Sequence, residues 1–208
     1  MSAAETLELL DWKRRVFSLY ADVRTTEPEA AWKLWRETRD QLFRSHPQSP
    51  LPAERRSSFA GLEYWPYDPQ ARVLAELEDV EAAPVETSGT EPILFRPFAR
   101  ASFELRGEPF AFELAWLAAY GGGVFLCFRD ATSGRESYGG GRYLLDTAKG
   151  ADLGWADETL VLDFNFAYNP SCAYDPSWLC PLAPPPNRLG VEVRAGELKP
   201  EVGLEPTA

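Results

Sequence analysis

A chain of 208 residues with 45% hydrophobic side chains can bury a core as one domain without a metal or a disulfide. Its net charge of −11 disfavours nucleic acid and anionic membrane surfaces as partners, since both attract basic patches. The N-terminus lacks the cationic and apolar regions of a signal peptide, and the longest apolar run, residues 116–128, is interrupted by glycines. We therefore predict a cytoplasmic protein whose cysteines are reduced thiols.

Residues 1–48 have the pattern of a helical hairpin. Apolar side chains recur at helical spacing over residues 6–24 and again over the next segment, where they include two tryptophans. Thr26 and Glu29 have the spacing of a capping box at the start of the second helix. That helix should end at His46, because a proline follows and pushes the preceding residue out of the helical region. The aromatic face of the hairpin needs an apolar surface to cover it, most simply a sheet.

The sequence pattern over residues 49–195 predicts an antiparallel β domain. After a proline-rich connector, the period of the apolar residues changes to two. Short alternating segments separated by glycine turns follow one another without helices, which is typical of an antiparallel sandwich or barrel. The predicted strands lie near residues 73–78, 102–106, 110–116, 124–130, 142–146, 160–165 and 191–194.

The predicted fold class is α+β. We expect the N-terminal helical hairpin to pack on an antiparallel β-sandwich or half-open barrel, with a long loop across one end. Residues 196–208 form an acidic tail that contains prolines, and we expect it to fray. All of these segments belong to one structural domain, since the chain has the length of a single domain.

The stretch DFNFAYNPSCAYDPSWLCPLAPPPNR, residues 163–188, is too rich in aromatic residues for disorder and too irregular for a strand along its whole length. Ordered loops of this length are uncommon and often functional. If the first part is a strand, Asp163, Asn165 and Asn169 share one face and an aromatic face lies opposite. The polar face either lies in solvent or presents an acceptor and an amide to a ligand at a barrel mouth.

The chain resembles a known family in several ordered segments. They are LLDWKRRVFSLYADVR, FRSHPQSPL, FRDATSGRESYGGGRYLLD, and DFNFAYNPSCAYDPSWLCPLAPPPNRL followed by VRAGE. These segments are similar to an uncharacterised bacterial and archaeal family, domain-of-unknown-function family 1684, over nearly the whole chain. The resemblance implies a single domain and implies no mechanism.

Three other features have a functional and a structural interpretation. Gly139–Gly141 indicates either a bulge with close packing or a backbone that faces a ligand. Cys172 and Cys180 lack the paired spacing of a zinc site, and buried apolar thiols are more typical than a nucleophile at Cys172. His46 is more typical of a helix end than of a catalytic base. The sequence contains no cofactor motif, and we predict no cofactor and no metal.

The leading hypothesis is a small-molecule pocket under the 163–188 loop, for a small anionic or polar ligand. The arginines would bind an anionic group, Asp163 or Glu136 would act as a base, Cys172 is a candidate nucleophile, and Asn165 would orient the ligand. If the protein is an enzyme, hydrolytic or acyl chemistry is expected, because no cofactor motif is present. The alternative is a non-catalytic structural or interaction protein whose loop only closes the β domain. The candidate site residues are Arg129, Glu136, Tyr138, Arg142, Asp163, Asn165, Tyr168 and Cys172.

Overall fold

The helical hairpin predicted from the sequence is present. The computed structural model of the protein describes residues 2–81, 95–118 and 121–200. Its helices are α1 (Ala3–Thr25), α2 (Pro28–Ser45) and the single turn α3 (Ala53–Arg56). No helix in these ranges is long and apolar enough to cross a membrane.

The start of α2 differs from the predicted capping box. Thr26 ends α1, and its hydroxyl donates to the Asp22 carbonyl at 2.8 Å. The N-cap of α2 is Glu27, whose carboxylate accepts the Ala30 amide at 3.1 Å. With only two residues between the helices, the threonine is already used by the first helix when the second begins. The predicted end of α2 at His46 is confirmed.

The β domain is one antiparallel sheet with the strand order β5-β4-β3-β2-β1-β7-β6. Because β5 and β6 are its two edges, the sheet forms a half-open barrel, as one of the two predicted architectures requires. Six of the seven predicted strands are found. The strands are β1 (Arg72–Asp79), β2 (Phe95–Leu105), β3 (Glu108–Leu117), β4 (Val124–Phe128), β5 (Arg142–Asp146), β6 (Trp155–Ala156) and β7 (Thr159–Asp163).

The two faces of the sheet bury different cores. The inner face carries a cluster of phenylalanine rings, among them Phe112 and Phe128, whose centroids lie 5.7 Å apart. The other core lies between the sheet and the hairpin, where the ring centroids of Trp35 of α2 and Phe166 lie 5.3 Å apart. Trp35 is fully buried, and its Nε1 donates to the Tyr20 hydroxyl at 3.0 Å. The aromatic stripe of the hairpin is thus covered by the sheet, as the sequence predicted.

The predicted strand 160–165 ends at Asp163. The Asp163 carboxylate accepts the Asn165 amide at 3.0 Å and opens a turn of 3₁₀ helix over Phe164–Phe166. A side chain that bonds the backbone two residues ahead competes with the sheet ladder. The expected alternation of faces therefore stops, and Phe164 and Asn165 are both completely buried.

After this turn the chain crosses the open side of the sheet. Tyr168 pairs with Tyr143 of β5 in an antiparallel bridge, with N–H···O distances of 2.8 and 3.0 Å. This bridge covers part of the edge of β5 and brings the 163–188 loop from one end of the sheet order to the other. The loop then lies beside α1 and α2, where a cavity forms.

Two predictions for the C-terminal segment were wrong. Residues 191–194 form no strand. Side chains take both backbone groups of Val193, since its amide donates to Asp130 Oδ2 at 2.7 Å and its carbonyl accepts from Arg142 at 2.9 Å. Residues 196–200 do not fray, since the Glu197 side chain is buried and its amide donates to the Ala167 carbonyl at 2.9 Å. Residues 201–208 of the predicted tail lie outside the described residues.

Candidate functional site

Arg142 is completely buried and links β5 to distant parts of the chain. Its guanidinium donates to the carbonyls of Ala195 and, at 2.9 Å, of Val193, and its Nη2 lies 3.5 Å from Asp130 Oδ1. The group also lies 5.0 Å over the Trp65 ring. Only 1% of Arg142 is exposed. Its guanidinium therefore binds the C-terminal segment and is not accessible to a ligand.

Asp163 and Asn165 join two segments of the chain. Asn165 exchanges two hydrogen bonds with the backbone of Asp68, at 2.9 and 2.8 Å, and donates to Asp163 Oδ1 at 2.7 Å. Both side chains are 0% exposed. Burial raises the pKa of Asp163 to about 6, against the lowering effect of its hydrogen bonds from Asn165 and of Arg72. The structure places this pair at a junction within the fold and not on a cavity wall.

The remaining predicted residues also lie apart. Glu136 pairs with Arg194 at 3.1 Å on the protein surface. Arg129 exchanges backbone hydrogen bonds with residues 187–189, at 2.9 and 2.8 Å. Tyr138 is buried, and its hydroxyl donates to Cys172 Sγ at 3.7 Å. The eight candidate residues therefore do not meet in one concavity.

The triplet Gly139–Gly141 serves close packing, one of its two predicted roles. A Cβ on Gly140 would lie 2.5 Å from the Tyr138 ring and 3.1 Å from Leu182. At Gly141, where φ is +97°, a Cβ would lie 2.6 Å from the Phe128 carbonyl oxygen. The absence of side chains here lets the 163–188 loop approach the turn before β5.

A cavity of about 340 Å³ does lie under the 163–188 loop, with a different lining. We call it the hairpin cavity, because α1 and α2 form one wall and the loop forms the other. Aromatic and aliphatic side chains make up most of its surface, including Trp12 and Trp35 from the helices and Trp178 from the loop. Of the predicted site residues, only Tyr168 lines it.

The charged residues of the hairpin cavity are all cations. Lys13, Arg39 and Lys149 line it, and no Asp or Glu side chain does. Lys149 pairs with Asp146 at 2.9 Å, and Arg39 pairs with Glu197 at 2.8 Å. Lys13 makes no ion pair with any residue that the structure describes. The lining therefore holds one positive charge, that of Lys13, which has no ion-pair partner among the described residues.

Arg39 is held in a fixed position. Its guanidinium lies 4.9 Å from the centroids of the Trp35 and Tyr168 rings, and its Nη2 bonds Glu197. Burial lowers the pKa of Arg39, but the charges of Glu197 and Tyr64 outweigh it and the net direction is upward. The two rings and the Glu197 carboxylate therefore hold a permanently charged guanidinium at the cavity wall.

Asn169 adds an unused acceptor. This residue lines the hairpin cavity and is 3% exposed. Its Nδ2 donates to the Leu198 carbonyl at 2.7 Å, whereas its Oδ1 is buried without a hydrogen-bond partner among the described residues. A buried amide oxygen without a partner is costly, so a ligand hydroxyl that reached it would satisfy the group.

The two loop cysteines have opposite character. The hydrogen bond from the Cys172 thiol lowers the pKa of Cys180 to about 6, and the charge of Lys149 acts in the same direction. That same hydrogen bond, followed by burial, raises the pKa of Cys172. Cys180 lines the hairpin cavity. It is the thiol with the lower pKa, whereas the predicted nucleophile was Cys172.

In the described part of the chain, no three His, Cys, Asp or Glu side chains are grouped to hold a metal ion.

Comparison with known proteins identifies the family. A family model described as "Protein of unknown function (DUF1684)" matches residues 57–198. The chain belongs to the DUF1684 family. An uncharacterised protein from gene locus rrnAC0354 of Haloarcula marismortui, solved by NMR in solution, is 38% identical, with a TM-score of 0.59 and coverage of 82% of this chain and 93% of that chain. None of the curated proteins matches the chain.

The DUF1684 match includes the 163–188 loop, whereas the helical hairpin lies before the first matched residue. The site predicted from the sequence comprised only the loop and its neighbouring strands, so it left out Lys13 and Arg39, which lie on the helices. One pattern pointed to Arg39: it continues the buried stripe of α2, four residues after Trp35 and three before Leu42. A cation in an aromatic stripe is a usable sign of a buried charge site.

Proposed function

We propose that this DUF1684 protein binds a small amphipathic anion in the hairpin cavity. The ligand would have an apolar alkyl or aryl body and one acidic head group. The observation that carries the proposal is the lining itself, which is mostly apolar, has only cations as charged side chains and includes Lys13, which makes no ion pair among the described residues.

Physical chemistry favours this ligand class over a neutral or a strongly polar one. Small-molecule sites are mostly apolar concavities of about 300–1,000 Å³ with a few placed polar groups. The aromatic wall would take up the apolar body, and Lys13 would neutralise the head group at the reduced dielectric of a half-enclosed site. Asn169 would accept a hydrogen bond from a hydroxyl on the ligand.

The proposal concerns binding and not catalysis, because none of Asp163, Glu136 and Cys172 lines the hairpin cavity. It keeps the predicted cytoplasmic location, where the adjacent thiols of Cys172 and Cys180 would stay reduced.

The test uses decanoate and 1-decanol, which share an apolar chain and differ in the charge of the head group. We expect decanoate to raise the Tm of the protein in a concentration-dependent way, because a ligand that binds only the folded state stabilises it. Decanol should bind more weakly. Isothermal titration calorimetry then gives the Kd of each compound.

Variants of one helix residue assign the binding to this cavity. Lys13→Gln should weaken decanoate binding about tenfold, the equivalent of one hydrogen bond to a charged group, and Lys13→Glu should weaken it further. Lys33→Gln is the matched control, since Lys33 lies on the hairpin outside the cavity and should leave the Kd unchanged. If neither compound shifts the Tm, or if Lys13→Glu binds decanoate as the wild type does, the alternative stands in which the loop only closes the β domain.

A further inference from the structure

The loop cysteines sit side by side at the wall of the hairpin cavity. They are eight positions apart, and the chain between them folds back so that the Cys172 amide donates to Cys180 Sγ at 3.3 Å. Each thiol shifts the pKa of the other, downward for Cys180 and upward for Cys172. Both are partly exposed, whereas the third cysteine, Cys127, is 2% exposed in the sheet.

The surroundings differ between the two sulfur atoms. The hydrogen bond with Cys172 lowers the pKa of Cys180, and the charge of the Lys149 ammonium group favours a thiolate there as well. Tyr138 donates to Cys172 Sγ, but Cys172 keeps its proton because its thiol donates to Cys180. A thiolate beside a protonated thiol is the arrangement in which one cysteine is oxidised and the other resolves it.

We propose that Cys172 and Cys180 form a redox-modification site, in which a hydroperoxide oxidises Cys180 and Cys172 closes a disulfide with it. The site does not depend on ligand binding in the hairpin cavity. Its oxidant is a hydroperoxide, and its reductant is a cellular dithiol, which returns both thiols by exchange.

The reaction balances with hydrogen peroxide as the oxidant. The Cys180 thiolate attacks one peroxide oxygen, so that an S–O bond forms, the O–O bond breaks, and the released hydroxide takes a proton to become water. The sulfur of Cys172 then attacks the sulfenic sulfur of Cys180. An S–S bond forms, the S–O bond breaks, and the hydroxyl leaves as water with the proton of the Cys172 thiol. The cysteine pair loses two electrons, and one peroxide becomes two water molecules.

The disulfide would close a ring of chain that includes part of the cavity wall. Trp178 and Leu179 lie between the two cysteines and line the hairpin cavity. Trp178 is 41% exposed and Leu179 is 96% exposed, so this part of the loop has few contacts that hold it. Closing the ring lowers the number of conformations open to it.

The experiment follows oxidation of the full chain by mass. The protein is first reduced with dithiothreitol, which is then removed, and one equivalent of hydrogen peroxide is added. We expect the intact mass to fall by two hydrogen atoms and peptide mapping to find Cys172 linked to Cys180, with Cys127 free. Dithiothreitol should restore the starting mass. Alkylation of Cys180 by iodoacetamide before oxidation should reach half of its limiting rate near pH 6.

Single substitutions separate the two roles. In Cys172→Ser, oxidation should stop at a sulfenic acid on Cys180, which dimedone traps as a stable adduct. In Cys180→Ser, no dimedone adduct should form at Cys172 under the same conditions. Circular dichroism and Tm check that both variants fold, and Cys127 serves as the control thiol within each sample.

Three results would overturn the proposal. The first is a wild-type protein in which peroxide leaves both thiols free. The second is dimedone labelling of Cys172 in Cys180→Ser at the rate seen for Cys180 in Cys172→Ser. The third is a disulfide between the two cysteines that dithiothreitol does not reduce, since the bond would then be structural.

Discussion

Asp163 has a buried carboxylate whose second oxygen is poorly satisfied. Oδ1 accepts hydrogen bonds from Asn165, whereas Oδ2 has no hydrogen-bond partner among the described residues and lies 3.7 Å from Arg72 Nη1. Burial outweighs these contacts and raises the pKa to about 6. The folded protein therefore holds a proton on Asp163 at pH values where the unfolded chain has released it.

The sign of this linkage gives the first prediction. The contribution of Asp163 to stability is fully present below the unfolded pKa of 3.8 and is lost as the pH rises through about 6. The difference corresponds to about 3 kcal/mol. We expect the free energy of unfolding of the wild type, minus that of Asp163→Asn, to fall by most of this amount between pH 4 and pH 7, as measured by urea unfolding at each pH.

A second aspartate provides the control. Hydrogen bonds from Ser177 lower the pKa of Asp175, so Asp175→Asn should change the pH profile in the opposite direction. Parallel profiles for the wild type and Asp163→Asn would contradict the assignment of a raised pKa to Asp163.

At the scale of elements, the turn before β5 and the 163–188 loop depend on each other. The loop can approach only because Gly140 and Gly141 have no side chains where Leu182 and Ala183 pack. Gly141 also needs a positive φ, which favours glycine on its own account. At Gly141, both the close packing and the positive φ therefore require glycine.

A matched pair of glycines separates these two effects. Gly134 has a φ of +87°, close to that of Gly141 at +97°, but a Cβ there would meet nothing within 4 Å. Gly134→Ala should cost only the left-handed backbone penalty of about 1–2 kcal/mol. Gly141→Ala should cost about 2 kcal/mol more, because the new Cβ overlaps the Phe128 carbonyl. Urea unfolding followed by tryptophan fluorescence measures both, and equal losses would refute the packing role.

At the scale of the whole molecule, Arg142 joins parts of the chain that are far apart in sequence. Its guanidinium contacts Trp65 from the connector, Asp130 from the turn after β4, and the carbonyls of Val193 and Ala195. Burial lowers the pKa of Arg142, and Asp130 opposes that shift. Removing only one member of a buried ion pair is costly, because the other charge stays buried without its partner.

Arg142→Met tests this connection. We expect a loss of about 3–5 kcal/mol in the free energy of unfolding, because Asp130 would remain buried without its cation. Hydrogen exchange should rise most in residues 191–199, which the guanidinium holds. Arg135→Met, at an exposed arginine that pairs with Glu192, should have no measurable effect, and equal losses in the two variants would argue against the connecting role.

Local interactions explain what the sequence predicted correctly. The two long helices, six strands and the end of α2 at His46 follow from apolar periodicity and from a proline, which act over a few residues. The segment 191–194 has the alternation of a strand, but distant side chains take its backbone groups, and no local pattern records that competition.

The sequence by itself determined the fold class and the family, because these depend on patterns of neighbouring residues. Only the tertiary structure decided where the hairpin cavity lies and which side chains face it. Asp163 and Arg142 are used inside the fold, whereas Arg39 is turned toward the cavity and is held by Glu197, 158 positions away in the chain. The sequence order of polar groups does not fix such pairings, since they form only when packing brings distant segments together and burial makes every charge find a partner.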